Sequence, residues 1–235
     1  MKKLLLYDSM YGDGRISMDF MRWMMNSFWE NSWENVDPSR VAEYINTFNM
    51  EADDLMNMLH QNHIYSVCDA GCGCGIYALK LAANGFYVSG FDVSSHAVAL
   101  SKKLLDKASL TAELKVASIL TTGYTEGKFD CVISRDVLDH ISKADATIAV
   151  KELSRITKDG GIILLTLDSL DEEYETEPHS VNMDGDYVYT DGKWKGMVFH
   201  PYNRETIYEI IPTGVRCEII DSHGELTVLL RKNAD

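Results

Sequence analysis

The middle of the chain alternates between short runs of β-branched and aromatic residues and longer stretches in which apolar residues recur at helical spacing. The predicted strands are residues 64–69, 87–92, 114–117, 129–134 and 162–167. The predicted helices between them are residues 76–84, a helix capped by Ser94 or Ser95, and residues from about 143 to 157, which Asp159-Gly160-Gly161 ends. Strands that alternate with helices in this way predict parallel βαβ units in a doubly wound α/β sheet.

Residues 1–62 follow a helical pattern and form a predicted N-terminal helical cap. Ser17 is a suitable N-cap for a helix with apolar residues at Met18, Met21, Met25 and Phe28. Asp37-Pro38 combines a capping side chain with proline at the first helical position, which predicts the start of a second helix. A third helix is predicted from the stripe of Ala52, Leu55, Met56 and Leu59.

Hairpin signals replace the alternation after Asp168. Asp191-Gly192 separates two β-rich runs, 187–189 and 194–199, and suits a tight turn that requires positive φ. Asn203 is a predicted cap for a short helix to Ile211, and residues 216–220 and 226–230 are predicted to pair as a final hairpin. We therefore divide one predicted domain, residues 1–235, into the cap (1–62), the alternating core (63–168), a hairpin insertion (169–202), and a last helix with a C-terminal hairpin (203–235).

Composition and charge exclude several classes of protein. The 235 residues are 46% hydrophobic and 10% aromatic, which is enough for a sizeable core and excludes disorder as the main state. The opening Met1-Lys2-Lys3-Leu4-Leu5-Leu6 is too short for a secretory signal, and no run approaches the ~18 apolar residues of a membrane span. The net charge of −14 repels polyanions, so neither nucleic acid nor an anionic membrane is an expected partner. These observations predict a cytoplasmic protein.

The most informative stretch joins the first predicted strand to its helix and reads Val67-Cys68-Asp69-Ala70-Gly71-Cys72-Gly73-Cys74-Gly75. Glycines at such a junction let a ligand approach the backbone closely. Gly73-x-Gly75-x-x-Ala78 also satisfies a dinucleotide fingerprint. A carboxylate at Asp69 is badly placed for a pyrophosphate but suits a ligand with an ammonium and a sulfonium. Asp92, at the end of the second strand, can accept hydrogen bonds from both hydroxyls of a ribose.

The clustered cysteines have an alternative interpretation as a metal site. Cys68, Cys72 and Cys74 are three of five cysteines, an odd number that does not suggest a disulfide framework in a chain of this length. Their C-x3-C-x-C spacing lacks the paired C-x2-C of structural zinc and has no matching second half. We expect reduced thiols and no metal.

These residues resemble the first motif of class I S-adenosylmethionine-dependent methyltransferases, which runs D-x-G-x-G-x-G after a hydrophobic strand. The resemblance extends over about residues 64–168. It implies a Rossmann-like, seven-stranded, mostly parallel sheet, to which the C-terminal hairpin adds antiparallel strands and the N-terminal helices a cap. It also implies S-adenosylmethionine as cofactor, S-adenosylhomocysteine as product, and methyl transfer by in-line displacement as the activity.

The resemblance assigns cofactor contacts residue by residue. Asp69, Gly71, Cys72 and Gly73 would line the methionine half, Asp92 would hold the ribose, and Val93 would cover one adenine face. The third strand usually ends in an acidic residue near the adenine amino group, whereas here Ser118 and Ile119 occupy that place. Ser134 and Arg135 match the segment that faces the methionine moiety, and Arg40 is a further candidate for the cofactor carboxylate.

The acceptor side is less well defined by the sequence. Methyl transfer requires mainly alignment, and a base matters only for acceptors that must lose a proton. His140 is the expected catalytic residue, although it also fits a helix-start residue bonded to a nearby carbonyl; Tyr11, His200 and Tyr202 are further bases by residue type. The N-terminal helices and the hairpin at 186–200 are predicted to close over the cofactor, with Tyr11, Trp29, Trp33 and His200 contacting the acceptor. The Met and Trp stripe at 18–33 equally suits helix packing.

The predicted acceptor is a small molecule, and its charge is inferred from an acidic cluster. Asp171, Glu172, Glu173, Glu175 and Glu177 lie beside the predicted hairpin. If they face the site, the acceptor is neutral or cationic; otherwise they form a solvated loop. A monomer or a homodimer fits the sequence equally. The alternative functions are an NAD-dependent oxidoreductase, an aminopropyltransferase, and a non-catalytic binding protein on the same fold.

Overall fold

The computed structural model describes residues 17–41, 49–222 and 225–233. Its helices are α1 (Met18–Glu34), α2 (Asn49–Gln61), α3 (Ile76–Ala83), α4 (Ser95–Lys107), α5 (Lys143–Ile156) and α6 (Glu172–Thr176), with residues 38–41 also helical and one 3-10 turn at Thr206–Glu209. Its strands are β1 (Ser66–Ala70), β2 (Tyr87–Asp92), β3 (Glu113–Val116), β4 (Phe129–Arg135), β5 (Thr157–Asp168), β6 (His179–Val181), β7 (Tyr187–Tyr189), β8 (Val198–Phe199), β9 (Val215–Ser222) and β10 (Glu225–Lys232).

Seven strands form the central sheet in the order β3-β2-β1-β4-β5-β10-β9. The first five are parallel, and β10 and β9 are antiparallel, which confirms the predicted sheet and its C-terminal hairpin. In this order β1 lies between β2 and β4, so the chain reverses its direction of winding at β1. The carboxyl ends of these strands border a crevice at the reversal, where ligands bind in open α/β sheets.

The sheet is buried on both faces. Val67 and Cys68, neighbours in β1 that point to opposite faces, are both completely buried. Cys68 belongs to the apolar cluster that contains α5, and Val67 to the cluster that contains α2, α3 and α4. Because both faces are buried, the sequences of the parallel strands are continuous apolar runs rather than alternations of apolar and polar residues.

Helix α1 joins the cap to both the core and the hairpin region. Ser17 accepts a hydrogen bond from the Phe20 amide and caps the helix, as predicted. Met25 packs in the cluster around α5, whereas Met21 packs against Val188 and Val198 of the second sheet. Met21 and Met25 thus serve the packing role that the stripe suggested. No helix of the described residues is long and apolar enough to cross a bilayer.

Three predicted details of secondary structure were wrong. The predicted hairpin forms, with β7 antiparallel to β8, but only Val198–Phe199 of the run 194–199 is a strand, so the turn at Asp191-Gly192 is not tight. Strand β6, which has no strand pattern in the sequence, completes the three-stranded sheet β6-β7-β8. The helix predicted up to Ile211 is only the 3-10 turn. Helix α5 ends at Ile156, and residues 157–161 already belong to β5, because Gly160 adopts φ +74° at an irregularity in its pairing with β4.

Candidate functional site

A cavity of about 350 Å³ opens at the carboxyl ends of β1, β2 and β4, beneath helix α1. Twelve of the predicted site residues line it: Trp29, Trp33, Asp69, Gly71, Cys72, Gly73, Asp92, Val93, Ser118, Ile119, Arg135 and His140. The fold brings them together because the parallel strands all end at the same edge of the sheet.

The glycine turn after β1 forms the floor of the cavity. Gly71, Gly73 and Gly75 have φ values of +78°, +50° and +80°, a region that L side chains rarely adopt. The amides of Gly71 and Cys72 donate to the Phe91 carbonyl at 2.8 and 2.9 Å, which ties the turn to β2. A Cβ at Gly71 would overlap the side chain of Val137. Glycine is therefore required here both by backbone conformation and by space.

Asp92 is held at the cavity wall by backbone donors. Its Oδ2 accepts from the Gly73 amide and its Oδ1 from the Ser94 amide, both at 2.9 Å. Each carboxylate oxygen can accept a further hydrogen bond from a ligand. Burial raises the pKa of Asp92 above its ordinary value. A ligand hydroxyl that donated to this carboxylate would replace part of the hydration that burial removes.

Asp69 presents a second buried carboxylate to the same cavity. Its Oδ2 accepts from the Ala78 amide in the first turn of α3 at 3.0 Å. Burial, with a smaller contribution from the nearby Asp92, raises the pKa of Asp69 to about 7 against the lowering effect of the Ala78 hydrogen bond. A positive charge in the cavity would favour the ionised form.

The predicted adenine side is apolar with one engaged hydroxyl. Val93 and Ile119 line the cavity there beside Phe91. The Ser118 hydroxyl accepts from the Leu120 amide at 3.2 Å, so the side chain stabilises its own turn. This turn replaces the acidic side chain that the resemblance leads one to expect.

Arg135 and Ser134, neighbours in β4, differ in their access to the cavity. Arg135 lines it and donates to the Tyr77 hydroxyl at 2.7 Å and to Asp136 at 3.1 Å. Ser134 is not a lining residue: its side chain is buried, and its Oγ has no hydrogen-bond partner among the described residues. Successive residues of a strand point to opposite faces, so only one of the two reaches a given side.

His140, the residue predicted to act on the acceptor, lines the cavity and has a carboxylate on each of two neighbouring residues near its Nε2. Its Nε2 is 3.9 Å from Oδ2 of Asp139 and 3.9 Å from Oδ2 of Asp168. Trp29 packs edge-on against the imidazole, with ring centroids 5.2 Å apart. The bond to a nearby carbonyl that the sequence suggested is not present within the described residues, because Nδ1 is buried without a partner. Burial raises the pKa of Asp139 to about 6.

Helix α1 crosses the mouth of the cavity, and two polar contacts that the sequence did not predict attach it to the core. Arg22 forms a bidentate ion pair with the buried Asp145, with its Nη2 2.5 Å from Oδ1. Glu30 accepts from the hydroxyls of Ser95 and Ser94 and from the Ser95 amide, and these hydrogen bonds, that of the Ser95 hydroxyl above all, lower its pKa to about 2. The only sequence signal for either contact is the pair of serines that starts α4, an ordinary capping motif.

Of the other predicted site residues, His200 and Arg40 do not line the cavity. His200 is buried beyond it, where its Nδ1 lies 2.8 Å from Oδ1 of Asp186. Arg40 is exposed and is not a lining residue. Tyr11 lies outside the described residues. The assignment of His200 to the acceptor pocket is therefore corrected, since its imidazole instead joins the hairpin region to the start of α5 through Asp186, which also accepts from the Lys143 amide.

The cysteines and the acidic cluster also have defined surroundings. All five cysteines are free, and burial raises the thiol pKa of Cys72 well above its ordinary value. The acidic cluster around α6 does not line the cavity; Glu173 and Glu177 instead form ion pairs with Lys193 at the surface. The solvated-loop interpretation fits this placement.

Comparison with known proteins gives a consistent set of relatives. Residues 68–165 match a family described as a methyltransferase domain. Over 87 residues the chain is 40% identical to Magnesium protoporphyrin IX methyltransferase of Arabidopsis thaliana, an alignment that covers 36% of this chain and 28% of the relative. It is 33% identical over 101 residues to 2-methyl-6-phytyl-1,4-hydroquinone methyltransferase of Synechocystis, covering 43% and 31%. The chain spans less than half the length of these relatives.

Among solved structures, an S-adenosylmethionine-dependent methyltransferase from Clostridium acetobutylicum superposes with a TM-score of 0.62. The superposition covers 77% of this chain and 90% of the other, at 15% sequence identity. At that identity the likeness concerns the fold, and it matches the sheet order and the C-terminal hairpin described above.

Proposed function

We propose that this chain, whose residues 68–165 match a methyltransferase domain family, is a class I S-adenosylmethionine-dependent methyltransferase that transfers a methyl group to a small-molecule acceptor, neutral or cationic. The observation that carries the proposal is the pair Asp69 and Asp92, two buried carboxylates in the wall of a glycine-lined cavity. Both curated relatives described above are named for small-molecule acceptors, which supports the same class of substrate.

The cavity residues fit the proposed cofactor. When bound, S-adenosylmethionine supplies an electrophilic methyl group on a sulfonium. Asp92 would accept hydrogen bonds from the ribose hydroxyls, and Val93 and Ile119 would cover the adenine. Asp69 would favour the cationic half of the ligand, which would also contact Gly71 and Gly73 in the cavity floor.

The protein residues would mainly position the acceptor and exclude water. Trp29 and Trp33 project from α1 into the cavity and present apolar surface to it. A fixed orientation of this kind supplies several kcal/mol toward a displacement reaction. A hydroxyl acceptor must also lose a proton, and His140 is the lining residue placed to promote that loss.

The charge around His140 defines the acceptor class. Asp136 lines the cavity beside it, and the Asp139 and Asp168 carboxylates lie within 3.9 Å of its Nε2. An anionic acceptor would meet like charge in a site with little solvent. We therefore assign neutral and cationic acceptors to this cavity, on the basis of these three residues rather than of the surface cluster at 171–177.

Calorimetric titration with S-adenosylhomocysteine tests the proposal. Asp92→Asn preserves the shape of the side chain but removes its charge, and we expect at least a tenfold loss of affinity. Asp106→Asn, which changes an exposed carboxylate of α4 in the same way, is the matched control and should bind as the parent does. Equal affinity in the Asp92 variant, or tighter binding of NAD than of S-adenosylhomocysteine, contradicts the proposed function.

A further inference from the structure

The adjacent residues Asp139 and His140 meet Asp168, which is distant in the sequence, beside the part of the cavity that His140 lines. Asp139 and His140 follow β4, and Asp168 is the last residue of β5. One ligand atom from each residue lies within 4.8 Å of the other two. The imidazole Nε2 is equally far, 3.9 Å, from a carboxylate oxygen of each aspartate.

The buried polar atoms of this group lack partners. The Asp139 side chain is 0% exposed and that of His140 is 9% exposed. Asp139 Oδ1 and His140 Nδ1 have no hydrogen bond in the described part of the chain, and Nε2 has none within bonding distance. Buried polar groups are almost always hydrogen-bonded, because leaving one unpaired costs about 1–3 kcal/mol. Within the described residues, the buried Asp139 carboxylate therefore keeps one oxygen without a partner beside the Nε2 of His140.

We propose that Asp139, His140 and Asp168 bind a divalent transition-metal cation. A point equidistant from three atoms at this spacing lies roughly 2.5 Å from each, close to the range of oxygen and nitrogen ligands to divalent cations. Two carboxylates and one imidazole suit Mn²⁺, Fe²⁺ or Zn²⁺, whereas soft cations prefer sulfur ligands. The Asp168 side chain is 44% exposed, which provides an entry path and room for further ligands.

The surroundings of the three residues orient them as ligands. The Asp168 amide donates to Asp139 Oδ2 at 2.9 Å, and the Tyr174 hydroxyl donates to Asp168 Oδ2 at 3.2 Å. Contacts of this kind fix the direction of coordinating carboxylates in metal sites. Trp29 and Phe199, whose ring centroids lie 5.2 and 5.7 Å from that of the imidazole, restrict its rotation.

Two interpretations without a metal fit these distances less well. A histidine that acts as a base with an orienting carboxylate forms a hydrogen bond of about 2.6–3.2 Å with it, which is shorter than either distance here. A histidine with a purely structural role would use Nδ1 or Nε2 in a hydrogen bond, as His200 does with Asp186. The Nε2 of His140 lies 3.9 Å from a carboxylate oxygen on each aspartate, and neither of these two interpretations accounts for that arrangement.

The inference rests on the proposed function and specifies how His140 promotes proton loss. An acceptor oxygen bound to the cation would have a lowered pKa at its hydroxyl. Its O–H bond breaks and the proton passes to water. The oxygen then forms its bond to the methyl carbon as the carbon–sulfur bond breaks, and that electron pair stays on sulfur. The cation would neutralise the two carboxylates, so the expected acceptors narrow from neutral and cationic molecules to neutral oxygen nucleophiles, such as phenols, that can coordinate a metal.

Binding of Mn²⁺ to the full chain, followed by electron paramagnetic resonance, tests the inference directly. Mn²⁺ avoids thiolates, so the cysteines near the cavity do not confuse the measurement. We expect one saturable site, and nitrogen modulation in pulsed spectra that His140→Gln abolishes. Asp168→Asn should weaken binding at least tenfold. Asp184→Asn, which removes an equal charge at an exposed position of the same region, should leave the affinity within twofold.

The outcomes separate this inference from the proposed function. Failure to bind Mn²⁺ at millimolar concentration, or equal binding in the Asp168 variant, overturns the metal site even if S-adenosylhomocysteine binds. Binding of Mn²⁺ without any binding of S-adenosylhomocysteine overturns the proposed function and keeps the metal site. Thermal unfolding of each variant verifies that it is folded, and a nitrogen signal that survives in His140→Gln likewise contradicts the assignment.

Discussion

Asp69 shows how one residue couples burial to ligand chemistry. Its carboxylate is 4% exposed, faces the cavity and has a pKa raised to about 7 by burial. In the ligand-free protein it is therefore partly protonated at neutral pH, whereas a cationic ligand binds its ionised form. The affinity for that ligand and the ionisation of Asp69 are linked.

We expect the affinity for S-adenosylmethionine to rise with pH between 6 and 8. Below the raised pKa of about 7, binding must release the Asp69 proton, so affinity falls by up to about tenfold per pH unit. Calorimetry in buffers of different ionisation enthalpy measures the released proton. In Asp69→Asn this release should disappear, and a parent protein that binds equally at pH 6 and 8 contradicts the linkage.

The glycine turn gives a second prediction at the residue scale. Gly71 and Gly85 have similar φ values, +78° and +84°, but a Cβ at Gly85 would meet nothing within 4 Å, whereas one at Gly71 would overlap Val137. Gly85→Ala should cost about 1 kcal/mol from backbone strain alone. Gly71→Ala should cost about 3 kcal/mol or more, since repacking is added. Urea denaturation of the two variants measures the difference, and equal costs would contradict the role of Val137.

At the scale of elements, α1 acts as a fixed cover for the cavity. Glu30 receives hydrogen bonds from Ser94 and Ser95, and so adds a carboxylate to the N-terminus of α4. Arg22 fixes the other end of α1 to Asp145 of α5. The cavity wall formed by Trp29 and Trp33 depends on these two attachments, which join α1 to opposite sides of the central sheet.

Removal of the Glu30 attachment should loosen α1 without unfolding the sheet. We expect Glu30→Ala to lower stability by about 1 kcal/mol, as loss of a helix-capping carboxylate does. Proteolysis within residues 18–34 should become faster, and S-adenosylhomocysteine should bind more weakly. Glu34→Ala, on the same helix but exposed, is the control. Unchanged proteolysis in the Glu30 variant would show that the attachment does not hold α1.

For the whole molecule, the net negative charge and the buried acids both lower the stability as the pH rises. The chain carries a net charge of −14, and burial raises the pKa of both Asp69 and Asp92 in the folded state. A folded-state pKa above the unfolded value means that the native protein binds more protons than the unfolded chain. Stability then falls as pH rises from about 4 to 7.

The ligand-free protein should accordingly unfold at a lower temperature at pH 7.5 than at pH 5.5. Both the ionisation of Asp69, whose folded pKa is about 7, and the repulsion among excess acidic residues contribute to the loss. Calorimetric melting across this range measures it. Asp69→Asn should reduce the dependence, and 0.5 M salt should reduce only the part due to repulsion. A melting temperature that rises with pH contradicts this account.

The local sequence pattern was sufficient to predict the helices and strands that bury apolar surface. The sequence predicted the helix capped by Ser17 and the bounds of Tyr87–Asp92, because apolar spacing and capping chemistry are properties of adjacent residues. It missed β6, whose exposed residues carry no apolar pattern and which pairs only because β7 lies beside it. It also placed His200 in the acceptor pocket by residue type, although Asp186 holds that side chain elsewhere.

The sequence by itself determined the alternation of strands and helices, the glycine turn, and the positions of Asp69 and Asp92 at strand ends, since the parallel sheet brings those ends to one edge. Only the tertiary structure decided that Arg22 meets Asp145 and that Asp168 meets His140. Pairings between distant segments depend on packing angles and side-chain directions, which no local pattern encodes. Most of the residues assigned to the cofactor side thus lie together around one cavity, as the sequence predicted, whereas His200 of the predicted acceptor side does not line it.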